Sequence, residues 1–453
     1  MRKLFAAILL IGTLLLATSP GARAAQTTSH APDLAGHWIV KADFWGSPIF
    51  YRLELNDDAD KLTGEFGGDK LEGTVTGNSV HFLAKDEAGG SEECIATIHS
   101  LADSSSSELS GTLIFIYAGN LSHPVKHTFT ATLAPKRSSA PPQRHDFTPT
   151  TFYRQFSALN APVLYVQPGD TVHTTTVDAG GTDEKGVTRV LGGNPETGPF
   201  YIETAEPGDT LVVHLNRVRL NRDWAISDDD LVPRAVDTEW SVKMKDSGKS
   251  VRWHLDIARG VATVEKPGAH LQDYSVPLRP MLGCVATAPP PAAAAPGTGD
   301  SGRYGGNMDF NENIEGATIY LPVSTPGAFL YLGDGHAVQG DGELNGNALE
   351  TSMDVEFTVD VISGKRVPGP RVESATHIMA MGLDGSIDDA FRDATVNMAG
   401  WLTEKYGLTP PEVAEVLGSS AEYKVSEVAD RNAGVVVRIN KDRLQSLPLA
   451  PAK

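Results

Sequence analysis

Between Tyr331 and Glu350 the chain reads YLGDGHAVQGDGELNGNALE. Gly333, Gly335, Gly340, Gly342 and Gly346 interrupt it, and Asp334, His336, Asp341, Glu343 and Glu350 lie among them. Glycine opens left-handed backbone and close approach at an entropic cost, so this stretch favours tight turns over a helix or a plain strand. Such turns aim several polar side chains into one cavity. Carboxylates and an imidazole are donors for a zinc-like dication, and an acid left over can move a proton. An acidic, glycine-rich loop is also the pattern of a surface calcium loop, because hard cations take oxygen donors.

A chain of 453 residues is long enough for two or three domains. The formal charge of −19 disfavours a nucleic-acid groove and favours a soluble protein with neutral or cationic ligands. Cys94 and Cys284 are far apart and form no CxxC pair, which excludes a cysteine-based zinc site and favours lone thiols over a disulfide. Residues 1–24 have the form of a secretory signal peptide. Arg2 and Lys3 precede the apolar run Leu4 to Ala17, and Ala22-Arg23-Ala24 fits a small-x-small cleavage site. No later run is long and apolar enough for a membrane span. The expectation is a secreted or periplasmic protein with no stable membrane insertion once the leader is removed.

Residues 30–134 alternate apolar and polar side chains in short runs, such as Tyr51-Arg52-Leu53-Glu54-Leu55 and Val80-His81-Phe82-Leu83. Period-two runs separated by turn residues predict an antiparallel barrel, similar in architecture to the small lipocalin-like or avidin-like barrels. His37, His81 and His99 lack ligand spacing and read as ordinary surface or core-edge histidines. Ser104 to Ser107 reads as a hairpin tip. Residues 135–149, rich in Pro and Ser, read as a linker.

The second domain, residues 150–445, is mostly strand. Pro-Gly-Asp precedes a β-branched run twice, at Pro168 and Pro207. Thr171 to Asp178 reads as a strand with Asp178 at its exit beside Gly180 and Gly181, a place for a ligand or a turn cap. Trp240 to Ile257 reads as further strands. Thr287 to Gly306, full of Pro, Ala and Gly, reads as a loop over the site. It runs into Gly305-Gly306-Asn307-Met308-Asp309, another acid after paired glycines. Ala390, Ala394, Met398 and Leu402 recur at i, i+4 and predict a helix over Ile387 to Tyr406. Thr409, followed by Pro410 and Pro411, starts another.

GGNMD, LPVSTPGA, GDGHAVQGDGE and ALE occur in that order, with DAGGTD and NPETGPFYIETAEPGDTL upstream. This ordered set resembles the acetamidase/formamidase family of amide hydrolases over about Phe152 to Asn440. Asn194 stands where some members have His, and Thr204 where many have Gly. The resemblance does not cover Leu34 to Leu133, an added module. Joined with the alternating runs there, the expected fold is mainly β with some α: an N-terminal antiparallel β-barrel, then a larger β-rich acetamidase/formamidase-like domain with C-terminal helices. The resemblance also implies hydrolysis of a short amide to carboxylate and ammonia by metal-activated water, with a small-molecule amide as partner and a homo-oligomer as the assembly.

On that basis Asp178, Asp309 and His336 are the expected metal ligands. Asp334 is a fourth ligand or the group that orients His336. Glu343 is the expected general base and acid, and Glu203 and Glu350 are supporting acids. The expected cofactor is a divalent metal, zinc first and calcium second. No Gly-x-Ser-x-Gly arrangement is present, which disfavours a serine nucleophile. Cys284 lacks an adjoining basic partner. Two other readings compete: an exported ligand-binding protein without catalysis, and a cell-wall or carbohydrate-directed hydrolase targeted by its barrel.

Overall fold

The structure is a computed structural model, and it describes residues 34–58, 61–100, 107–120, 122–290 and 295–451. The leader at residues 1–24 and most of the Ser104 to Ser107 tip lie outside the described residues. Among the described residues no helix is long and apolar enough to cross a membrane.

Eight antiparallel strands between Gly36 and Leu133 form a closed barrel. Closure joins Gly36–Phe44 to Val125–Leu133, with Trp38 opposite Leu133 and Ala42 opposite Phe129. Alternation places Trp38, Val40, Ala42, Leu53, Leu55, Val80, Phe82 and Ala84 inside. The interior is thus a packed core, and Trp38 Nε1 meets its need for an acceptor at the Leu34 carbonyl, 3.0 Å away. The barrel is fastened to the rest of the chain by Arg52, whose Nη1 lies 3.1 Å from Asp209 Oδ1 and 3.4 Å from Glu206 Oε2. Both acids belong to the second Pro-Gly-Asp turn.

The larger domain stacks two sheets. One is nine-stranded and includes Thr171–Thr175, Thr210–Leu220, Thr318–Pro322, Met353–Ile362 and His377–Asp384. The other is twelve-stranded and includes Glu196–Ile202, Met281–Ala286, Gly305–Asn307 and Leu330–His336. Phe200, Leu321, Leu332, Val355 and Phe357 fill the space between them. The helix Ile387–Tyr406 covers the outer face of the first sheet through the predicted Ala390, Ala394, Met398 and Leu402, together with Trp401. Ser386 caps its start, and Gly407, left-handed at φ 69°, ends it. Gly382 lets helix and sheet close up, since a Cβ there would strike the Ala390 carbonyl. Thr409 and Glu412 cap the next helix reciprocally.

Three local expectations change. Thr238–Lys243 is a short helix capped by Asp237, and the strand begins only at Ser250. Asp237 supplies the acceptor for the Trp240 amide, and this local start signal overrides the β-branched residues around it. Inside the Pro-rich linker, Arg144–Asp146 pairs in parallel with Thr171–His173, so the sheet begins earlier than composition suggested. The strand toward Asp178 stops at Thr175.

Because Trp38 is fully buried in the barrel core, Trp38→Ala is expected to destabilise the barrel by about 3–5 kcal/mol. Denaturant unfolding should register that loss, and a change within error would show that the barrel core is not as tightly packed as described.

Candidate metal centre

The strand Leu330–His336 carries Asp334 and His336 two residues apart, which puts both side chains on one face. Glu350 arrives on the neighbouring strand directly opposite His336. Asp309 follows Gly305–Asn307, which pairs with Met281–Ala286 on the other side. Glu343 comes from the loop between Ala337 and Leu349. All of these side chains are buried.

The backbone is bent to aim them. Asp309, Asp334 and Glu343 take φ of 42°, 52° and 47°. Left-handed backbone costs a residue with a Cβ about 1 kcal/mol or more, and such strain gathers at functional sites. Gly283 lies under the cluster, and a Cβ there would fall on carboxylate oxygens of Asp334 and Asp309. A Cβ at Gly333 would strike the Glu196 carboxylate on the other face.

His336 Nε2 lies 3.3 Å from Glu350 Oε1, 3.5 Å from Asp334 Oδ1, 3.9 Å from Glu343 Oε1 and 4.0 Å from Asp309 Oδ1. Its other nitrogen, Nδ1, is 2.8 Å from Gln339 Oε1. The Gln339 amide group donates to the carbonyls of Asp309 (2.5 Å) and Ser426 (3.1 Å). Carbonyls only accept, so Gln339 must present its oxygen to His336, and Nδ1 carries the proton. The Nε2 edge of the ring therefore faces four carboxylates: in the neutral tautomer it offers a lone pair to a shared cation, and with no cation among them their charge favours a second proton there. His336 Nε2, Asp309 Oδ1, Asp334 Oδ1 and Glu350 Oε2 are buried without hydrogen-bond partners. Ligands about 2.0–2.1 Å from a tetrahedral ion lie roughly 3.3 Å apart; the separations to Glu350 and Asp334 are close to that, while those to Glu343 and Asp309 are wider. The donor set Asp309, His336, Glu343 and the set Asp334, His336, Glu350 each close within 4.8 Å.

Electrostatics lead to the same place. Burial, reinforced by the charges of Glu343 and Asp334, pushes the Asp309 carboxyl well above its usual range. Burial likewise raises Glu343 well above its usual range, against the pull of His336. Glu350 is pushed up to about 7 by burial and by the Asp334 charge. Burial lowers the basicity of His336, but Glu350 and Asp334 outweigh it and hold its pKa well above the ordinary value. A dication among these groups removes the penalty on each carboxylate.

Asp178 is placed elsewhere. Its Oδ2 is paired with the buried Arg222 guanidinium at 2.7 Å, and its Oδ1 accepts the Thr182 amide at 2.8 Å. Both oxygens are engaged, so the expected ligand is a structural ion-pair partner. Asp341 faces outward and pairs with Lys424. Glu203 lines a separate surface cavity with Tyr165 and Tyr201.

Four further residues belong to the centre: Gln339, Glu196, Glu427 and Asp430. Glu196 is fully buried behind Asp334, with both carboxylate oxygens unpartnered. Burial and then the Asp334 charge raise its pKa well above the usual range. The signal was present in the chain: an acid heads the buried run ETGPFYI, and Glu427 and Asp430 immediately precede the apolar strand Ala433–Asn440.

Asp334, Glu343 and Glu350 form the floor of a cleft of about 730 Å³ walled by Tyr153, Arg154, Asn194 and Asn347 among others. The end of the Pro/Ala/Gly loop, Gly297 to Gly299, forms part of its rim.

The two-sheet domain thus places beside a cleft an imidazole–carboxylate cluster whose donors could hold a metal ion. Residues 280–400, which include Asp309, Asp334, His336, Glu343 and Glu350, match the model of the Acetamidase/Formamidase family. The acetamidase of Mycolicibacterium smegmatis is 31% identical over 173 residues, which are 33% of this chain and 42% of that protein. The chain spans about half the length of the curated relatives it matches. The acetamidase structure from Bacillus halodurans superposes with a TM-score of 0.56 at 27% identity, covering 67% of this chain and 99% of that one. Acetamidase from Yersinia enterocolitica gives 0.58 at 25%, covering 68% and 95%. The chain thus matches the Acetamidase/Formamidase family model over residues 280–400 and is similar in fold to solved acetamidases over about two thirds of its length, with a closed eight-stranded barrel ahead of the matched residues.

Replacing Gly283 by alanine is expected to push Asp334 and Asp309 apart. Metal content and turnover should fall together, while circular dichroism stays that of the native fold. Native metal content in Gly283→Ala would refute the crowding described here.

Proposed function

We propose that this protein hydrolyses the C–N bond of a short linear amide, formamide- or acetamide-like, to a carboxylate and ammonia, using water activated at the His336 centre. The observation that carries the reading is His336 Nε2, itself without a hydrogen-bond partner, facing the unpartnered Asp309 Oδ1 and Asp334 Oδ1 beside the cleft. The family match over the same residues supports it.

In this reading Asp309 and His336 hold a divalent metal, with Asp334 as a further ligand. The mixed nitrogen and oxygen donors favour zinc over calcium. Such an ion, when bound, lowers the pKa of water and polarises a carbonyl. The residues of the chain do the rest. Glu343 reaches the cleft and is within reach of the centre. It takes one proton from water as the oxygen attacks the amide carbon. It then returns that proton to the nitrogen as the C–N bond breaks, so that ammonia leaves and no charge is stranded. Glu350, opposite His336, holds the imidazole and its neighbours in place. Asn194, whose amide donates to Asn307 Oδ1 at 2.8 Å, is fixed at the cleft wall where it can meet the amide group. In the same reading the leader at residues 1–24 exports the protein, which acts as a secreted or periplasmic enzyme.

Ammonia release from formamide and acetamide, with and without chelator, tests the proposal. Chelation is expected to abolish turnover and added zinc to restore it. Glu343→Gln is expected to lower kcat by about 10²–10⁴-fold, the usual contribution of a general acid–base group. Turnover indifferent to chelator, or unchanged in Glu343→Gln, would overturn the mechanism.

A further inference from the structure

Asp309 has a second set of acidic neighbours. One carboxylate oxygen each from Asp309, Glu427 and Asp430 come within 4.8 Å of one another. Asp309 and Glu427 are both fully buried, and Asp309 Oδ1 and Glu427 Oε1 lack hydrogen-bond partners. The remaining oxygens are arranged around them. The Asp430 amide donates to Glu427 Oε2 at 3.2 Å. Asn307 Nδ2 donates to Asp309 Oδ2 at 2.7 Å and to Asp430 Oδ2 at 2.6 Å. Asn194 donates to the oxygen of the same Asn307 amide and so fixes its orientation. Each acid is thus anchored on one side, and two of the three keep an unpartnered oxygen. Arg234, whose charge is felt at Glu427 and Asp430, directs a guanidinium nitrogen to the Arg431 carbonyl at 3.0 Å.

Two buried carboxylates and a partly buried third this close repel one another, and an unpartnered buried oxygen is costly. We propose that Asp309, Glu427 and Asp430 hold a second cation beside the His336 centre, with Asp309 shared between the two. The donors differ in kind. The His336 set mixes nitrogen with oxygen. The Glu427 set is oxygen only, which selects a hard ion such as calcium, magnesium or manganese. The chain therefore carries two adjacent cation sites of different preference. The shared Asp309 is the one point at which this inference rests on the proposed function. Glu427 and Asp430 sit outside the stretch from which the His336 set is drawn, and Asp430 also faces the cleft.

The test uses the full chain, stripped with chelator and titrated with zinc and with calcium. Bound metal is counted by mass spectrometry and the melting temperature is followed alongside. Wild type is expected to take zinc and, in addition, an equivalent of calcium that raises Tm. Glu427→Gln and Asp430→Asn are expected to lose the calcium equivalent and its Tm shift while keeping zinc. His336→Asn is expected to lose zinc and keep calcium. Asp430, only partly buried, guards against misfolding of the Glu427 variant. Wild type that binds zinc alone, or calcium binding unmoved in both acidic variants, overturns the second site and leaves the amide-hydrolysis reading standing. A chain that binds neither metal overturns both.

Discussion

Four largely buried carboxylates around one buried imidazole set the terms for this domain. At an effective dielectric of about 20, two unit charges about 4 Å apart repel by roughly 4 kcal/mol. A whole domain is stable by only about 5–15 kcal/mol. Asp309, Asp334, Glu343 and Glu350 cannot all be ionised side by side unless positive charge is placed among them. Protons do this partially, and the raised pKa values of Asp309, Glu343 and Glu350 record that demand. A dication does it fully and uses the His336 lone pair as well.

The backbone is organised to hold that charge. Asp309, Asp334 and Glu343 accept left-handed conformations, and Gly283 gives up its side chain so that two carboxylates can lie against the strand. Gln339 fixes the imidazole from behind through two main-chain carbonyls. These features have no value in a plain β-sandwich. They become intelligible together as the rigid mounting that a reactive centre needs. The adjoining cleft has a volume of about 730 Å³, and the barrel is fixed at another surface through Arg52.

The alternation of the N-terminal runs made the barrel legible, and i, i+4 spacing made the helix at Ile387–Tyr406 legible. The glycine-rich stretch showed where acids and imidazole would meet, because its turns are local. Asp178 was misjudged because its partner, Arg222, lies forty-odd residues away and nothing near Asp178 announces it. Glu196 joins through the pairing of its strand with the distant Leu330–His336 strand, and Glu427 and Asp430 lie far along the chain from the glycine-rich stretch, whereas Gln339, three residues from His336, was within the stretch and carried no charge to mark it. Thr204 shows a different limit. It has φ 65°, a conformation that glycine takes freely and threonine resists. The sequence signalled an unusual residue there, and the cause lay in the backbone.

The account depends on a cation at His336. X-ray diffraction from crystals of the full chain, collected on both sides of the zinc absorption edge, tests that claim most directly. The account predicts an anomalous peak about 2.0–2.1 Å from His336 Nε2, the usual zinc–nitrogen distance, with carboxylate oxygens of Asp309 and Asp334 around it. No peak from any metal, with His336 Nε2 donating directly to a carboxylate, would contradict it.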